Sequence, residues 1–89
     1  MSDENQPIIE YPIQFPLKVI GLDDADFADF VIEIVRRHVP ELLEENITSR
    51  LSGGDKYCSV SFEFIAESRE QVDALYVELS SHKRVLMIL

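Results

Sequence analysis

Two histidines and one cysteine, His38, His82 and Cys58, are the side chains of this chain best suited to acid–base, metal or thiol chemistry. A general base must reach the proton it removes, and a nucleophile needs its base beside it. No serine, cysteine or carboxylate is placed by sequence spacing to work with His38. Its position beside Arg36 and Arg37, just before Pro40, instead suits a cationic helix end facing the negative pole of the peptide dipoles. His82 is too distant along the chain to share a metal motif with it. Cys58 falls on the inward side of an alternating segment, where it serves as a small buried hydrophobe.

The remaining polar clusters each carry two readings. Gly21-Leu22-Asp23-Asp24 could admit a ligand, because glycine lets it approach the backbone and a helix start offers free N–H groups. The same residues also form a plain strand-to-helix turn, with Asp23 or Asp24 as the cap. The acids Asp23, Asp24, Asp26, Asp29 and Glu33 lack the spacing and central glycine of a calcium loop, so they form a solvated helix face. Arg36 and Arg37 form a paired basic spot, either an anion or partner contact or a complement to the dipole. No catalytic set, metal set or cofactor motif emerges, and the expectation is a non-enzyme without a cofactor.

The elements that position these residues are organised around Tyr57 to Ala66. Cys58, Val60, Phe62 and Phe64 alternate with Tyr57, Ser59, Ser61 and Glu63, which is a strand with one buried face. Met1 to Gln6 reads as a flexible polar stretch. Pro7, Pro12 and Pro16 punctuate the next segment, predicting an extended surface arm rather than a central strand. Leu17 to Ile20 is the first strand proper. Phe27, Phe30, Val31, Ile34, Val35 and His38 then mark an amphipathic helix from about Asp24 to His38. Glu41 to Glu45 connects to a strand over Ile47 to Leu51, and Ser52-Gly53-Gly54-Asp55 makes a hairpin loop. Ser68 with Gln71 has the form of a capping box before the stripe Val72, Leu75, Tyr76 and Leu79. Val85 to Leu89 is the last strand.

The order β-α-β-β-α-β predicts an α+β, ferredoxin-like sandwich: a four-stranded antiparallel sheet, order 4-1-3-2, with two helices on one face. Residues 1–14 are expected as a flexible, extended arm and residues 15–89 as a single domain. At 89 residues, 46% hydrophobic and 28% charged, the chain has ordinary globular composition and no room for a second core. One cysteine permits no intrachain disulfide and suits a reducing compartment. With neither a basic leader nor an apolar span, the expected location is cytoplasmic.

Seventeen acids against eight bases give a net charge of −9. This repels phosphate backbones and anionic membranes, so neither nucleic acid nor membrane is an expected partner, whereas a basic protein is. The open sheet face agrees, offering Ser59, Ser61 and Glu63 where RNA-binding sheets place stacking aromatics. The last strand is apolar on both faces and lies at the sheet edge, a pairing hazard unless covered. Its cover could be the proline-rich arm, a second copy in a homodimer, or another protein, making Leu86 and Ile88 partner candidates.

Several segments together resemble the YbeD-like family of small bacterial proteins of unassigned function. They are Phe15 to Gly21, Arg37 to Pro40, Ser52 to Ser61, Glu70-Gln71 with Leu75-Tyr76, and Val85 to Leu89. The resemblance spans about Tyr11 to Leu89. It implies a ferredoxin-like fold similar to ACT regulatory domains, the bacterial cytosol, and no catalytic residues to carry over. It also implies a regulatory tie to lipoate metabolism, because members are often encoded near lipoate-attachment enzymes. By analogy with ACT domains, a small molecule would bind near Gly21, Asp23 and Asp24. The chain departs from the family in its longer acidic N-terminus and at Leu86, a charged position in relatives. The expected function is a regulatory or adaptor domain acting through protein contacts; alternatively, it is an ACT-like small-molecule sensor.

Overall fold

Two ten-residue strands form the spine of the fold. In the computed structural model, which describes residues 10–22, 26–52, 54 and 56–89, β1 (Ile13–Leu22) and β3 (Tyr57–Ala66) pair antiparallel along their whole lengths. The short strand β2 (Ile47–Ser52) joins the far side of β3, and β4 (Val85–Ile88) joins the far side of β1. The order β2-β3-β1-β4 is the expected 4-1-3-2 read from the other edge. Met1 to Gln6, Pro7, Asp23, Asp24, Gly53 and Asp55, for which the sequence set expectations, lie outside the described residues.

The alternation in the sequence fixes what is buried. Leu17 and Val19 of β1 and Cys58, Val60, Phe62, Phe64 and Ala66 of β3 face the helices. Against them lie Phe27, Val31, Ile34 and Val35 of α1 (Phe27–His38) and Val72, Leu75 and Leu79 of α2 (Arg69–Ser80). Each fully buried phenylalanine or leucine contributes on the order of 1.5–3 kcal/mol of apolar transfer, opposed by the entropy of ordering the chain.

The segment Ile13 to Pro16 is part of β1, not of a surface arm. The expectation failed on Pro16. Lys18 and Leu89 exchange both backbone hydrogen bonds, at 3.1 and 2.8 Å, so the Lys18 amide points away from β3. Two residues earlier the Pro16 nitrogen points the same way, off the β3 ladder, where a missing N–H removes no β1–β3 bond. The sheet therefore takes in Ile13 and Gln14 as well.

Both outer strands are shorter than the spine. Pairing with β2 ends at Ile47 opposite Phe62, and pairing with β4 ends near Lys18. From Ile13 to Pro16, and from Glu63 to Ala66, the described strands form a two-stranded ribbon. Phe15 and Phe64, directly opposite in the ladder, pack their rings 5.7 Å apart there.

Candidate functional site

At one end of the spine, the loop that invited a ligand is filled by the protein itself. A Cβ added at Gly21 would fall on the Phe27 ring and against the Arg84 carbonyl oxygen, so glycine is required by packing alone. Arg84 lies with its guanidinium carbon 4.6 Å from the Phe30 ring centre and 5.8 Å from that of Phe27. Its Nη2 donates to the Asp26 carboxylate at 2.7 Å, a bond that holds the Asp26 carboxyl below its ordinary pKa. Asp26 occupies the N-cap position of α1 without a side-chain capping bond, and its carboxylate accepts from Arg84 instead. The His82 and Phe30 rings stand perpendicular, with their centres 5.0 Å apart. Asp23 and Asp24 lie outside the described residues, so of the expected loop site the structure describes Gly21 and Leu22.

The basic end of α1 is likewise engaged. Arg36 donates to the Leu42 carbonyl at 3.1 Å, which ties the connector to the helix. Glu78 of α2 accepts from His38 Nε2 at 2.7 Å and from Arg37 at 3.0 Å. The His38 hydrogen bond, with the Arg37 charge behind it, holds the Glu78 carboxyl below its ordinary pKa. Gln71 completes the join: its Nε2 donates to the His38 carbonyl at 2.8 Å, while its Oε1 accepts from the Glu67 N–H at 2.7 Å. Ser68 caps α2 as expected, accepting from the Gln71 N–H. The glutamine side chain reaches one residue past the cap, so the capping box also clamps the two helices. Among the described residues, no three potential ligands converge as a metal site.

The β4 edge presents apolar surface, but not by simple alternation. The register slips between Ile20 and Gly21, which face Met87 and Val85, so Leu86 is the extra residue of a bulge. The bulge lets both Val85 and Ile88 pack against the core, with Ile88 beside Val19. Ile88 is therefore a core contact, whereas Leu86 is exposed. Leu22, Leu86, Met87 and Leu89 are each more than half exposed.

A cavity of about 380 Å³ opens at the opposite end, where the ribbon leaves β2 behind. Val39, Leu42, Leu43 and Phe64 give it apolar walls. The charged residues in its lining are Glu41, Glu63 and Glu67, all acidic. Gln14 Nε2 donates to Glu63 Oε1 at 3.1 Å across the ribbon.

A family model described as "Protein of unknown function (DUF493)" matches residues 6–89. The chain belongs to the DUF493 family. A UPF0250 protein of Chromobacterium violaceum is 38% identical over 89 residues, covering all of both chains. One from Hahella chejuensis is 40% identical over 88 residues, covering 99% of this chain and 97% of the relative. These relatives bear out the resemblance to the YbeD-like proteins. Protein HP0495 from H. pylori, solved in solution, superposes with a TM-score of 0.75 at 17% identity, covering 100% of this chain and 93% of its own. The ACT domain from GTP pyrophosphokinase of Chlorobium tepidum superposes at 0.60 with 13% identity, covering 86% and 83%. The DUF493 fold is thus ferredoxin-like and close to that of ACT domains. No helix among the described residues is long and apolar enough to cross a membrane.

The cavity was not visible in the sequence, because its walls come from β1, the connector, β3 and α2. The carboxylate that engages His38 was hidden for the same reason, lying 40 residues away on the facing helix. A partial signal existed in Glu63 and Glu67, two acids bracketing the apolar end of the organising strand.

Proposed function

We propose that this DUF493 protein is a non-enzymatic regulatory or adaptor domain of the bacterial cytosol that works by protein–protein contact. The observation that carries the reading is the exposed apolar strip of Leu22, Leu86, Met87 and Leu89 along the edge strand and its neighbour. An apolar strip on an acidic surface suits a partner that presents apolar side chains flanked by bases. The groups able to do acid–base work support the same reading, since His38 and Glu78 are spent on joining two helices.

The test is in-cell crosslinking with the wild-type chain and the double variant Leu86→Lys, Met87→Lys as baits. The expected result is a partner captured by the wild type, weakened by added salt, and lost with the variant. Identical captures by both baits would overturn the role of the strip. If the partner is a second copy, sedimentation equilibrium of the wild type gives a dimer and that of the variant a monomer.

The alternative is an ACT-like small-molecule sensor, supported by the likeness in fold. Gly21 offers it little, since the Phe27 ring and the Arg84 carbonyl occupy the space a ligand would use. A metabolite that raises the Tm of the wild type and of the Leu86→Lys, Met87→Lys variant equally would favour the sensor.

A further inference from the structure

We infer that the cavity beside β3 is a docking groove for an extended basic peptide of a partner protein, which adds to the sheet as a strand along the β3 edge. The inference rests on the adaptor reading and supplies a second contact, at the end of the molecule away from the Gly21 loop.

The backbone geometry provides the first argument. Because the Lys18 amide points toward β4, the amides of Lys18 and its ladder partner Ser61 point apart. The two-residue period carries this to Gln14 and Ile65, the pair at the ribbon end. The N–H and C=O of Ile65 therefore point away from β1, to the side where β2 lies further along. No strand of the described residues pairs with Ile65 on that side, since β2 begins at Ile47 opposite Phe62. Ile65 is itself part of the cavity lining. A donor and an acceptor thus sit at strand spacing beside an apolar hole, the arrangement that peptide-binding sheets use for strand addition.

The chemistry of the walls selects the occupant. A cavity of about 380 Å³ falls at the small end of ligand sites and accommodates one or two apolar side chains against Leu42, Leu43 and Phe64. A strand points alternate side chains to opposite faces, so residues flanking the buried one reach the rim at Glu41, Glu63 and Glu67. Three carboxylates there favour lysine or arginine at the flanking positions. A second copy of this chain, at net charge −9, would bring like charge to the rim. The N-terminal stretch with Asp3 and Glu4 would do the same. The occupant is a partner that alternates apolar and basic residues.

The experiment uses the full-length, ¹⁵N-labelled chain titrated with three capped hexapeptides: KVKVKV, EVEVEV, and KVKPKV as a strand-breaking control. The expected result is a set of amide shifts centred on Ile65 and on the connector from Val39 to Leu43, with KVKVKV alone. Charge reversal by Glu63→Lys with Glu67→Lys should weaken that peptide on the order of tenfold and let EVEVEV bind. Equal binding of KVKVKV and KVKPKV would overturn strand addition, and no binding of KVKVKV would overturn the groove. Shifts confined to Met87 and Leu89 would overturn the groove while supporting the edge strip. Failure of the adaptor reading is seen separately, in crosslinking that captures no partner with the wild-type chain.

Discussion

The two ends of the β1–β3 spine are built from the same two strands and finish in opposite conditions. At the Gly21 end both strands have outer neighbours, a glycine is pressed under the Phe27 ring, and Arg84 spans two rings to reach Asp26. At the Ile13 end the outer strands have stopped, a cavity opens, and the Ile65 backbone has no strand of the described residues beside it. The glycine and aspartates resembled a ligand loop, yet Gly21 serves packing. The plain alternating strand carries the opening. Residue types that permit binding are informative only after the neighbours that could satisfy them are known.

The widest gap between the ends should appear in stability. Phe27→Ala removes a fully buried ring and should cost about 3–5 kcal/mol in urea unfolding. Gly21→Val should cost about 1–3 kcal/mol, since the added side chain meets a packed ring and a backbone carbonyl. A fully stable Gly21→Val protein would mean that the closed end yields, and the contrast with the open end would fail.

The helix clamp gives a smaller effect with a pH signature. Glu78→Gln should cost about 1 kcal/mol near neutral pH, by weakening the bonds to His38 and Arg37. The folded carboxyl has a lowered pKa, so its contribution is complete above the unfolded value, roughly 4.3. It is lost as pH falls through the folded value. The difference between wild type and variant should therefore shrink toward zero below about pH 4. A difference that grows with acid would contradict the pairing.

The smallest effect belongs to the open end. Glu63→Ala and Gln14→Ala break an exposed hydrogen bond and should each change stability by less than about 0.5 kcal/mol. The comparison sharpens if Glu63→Ala nonetheless weakens KVKVKV, because the open end would then be tuned for contact rather than for folding.

The sheet order, the helices and the core were legible because burial imposes a period of two on strands and near 3.6 on helices. Val60, Phe62, Val31 and Leu75 stand where those periods put them. The first half of β1 was not legible, because proline reads as a strand breaker until the direction of its nitrogen is known. Nor was the bulge at Leu86, which turns Ile88 inward through a register slip that leaves no local mark. The cavity and the Glu78 clamp join residues from distant segments, and no window along the chain contains them.

Pro16 has one further consequence. A ribbon end with no described strand on either edge could take a strand on each side, and copies could then join one after another into an open-ended fibre. On the β1 side, the ring nitrogen of Pro16 meets any incoming strand without a proton to give. The β3 side, at Ile65, has no such block. Growth through this end of the sheet is thereby made one-sided, so a strand that docks at Ile65 is capped by its host rather than passed along a chain of copies.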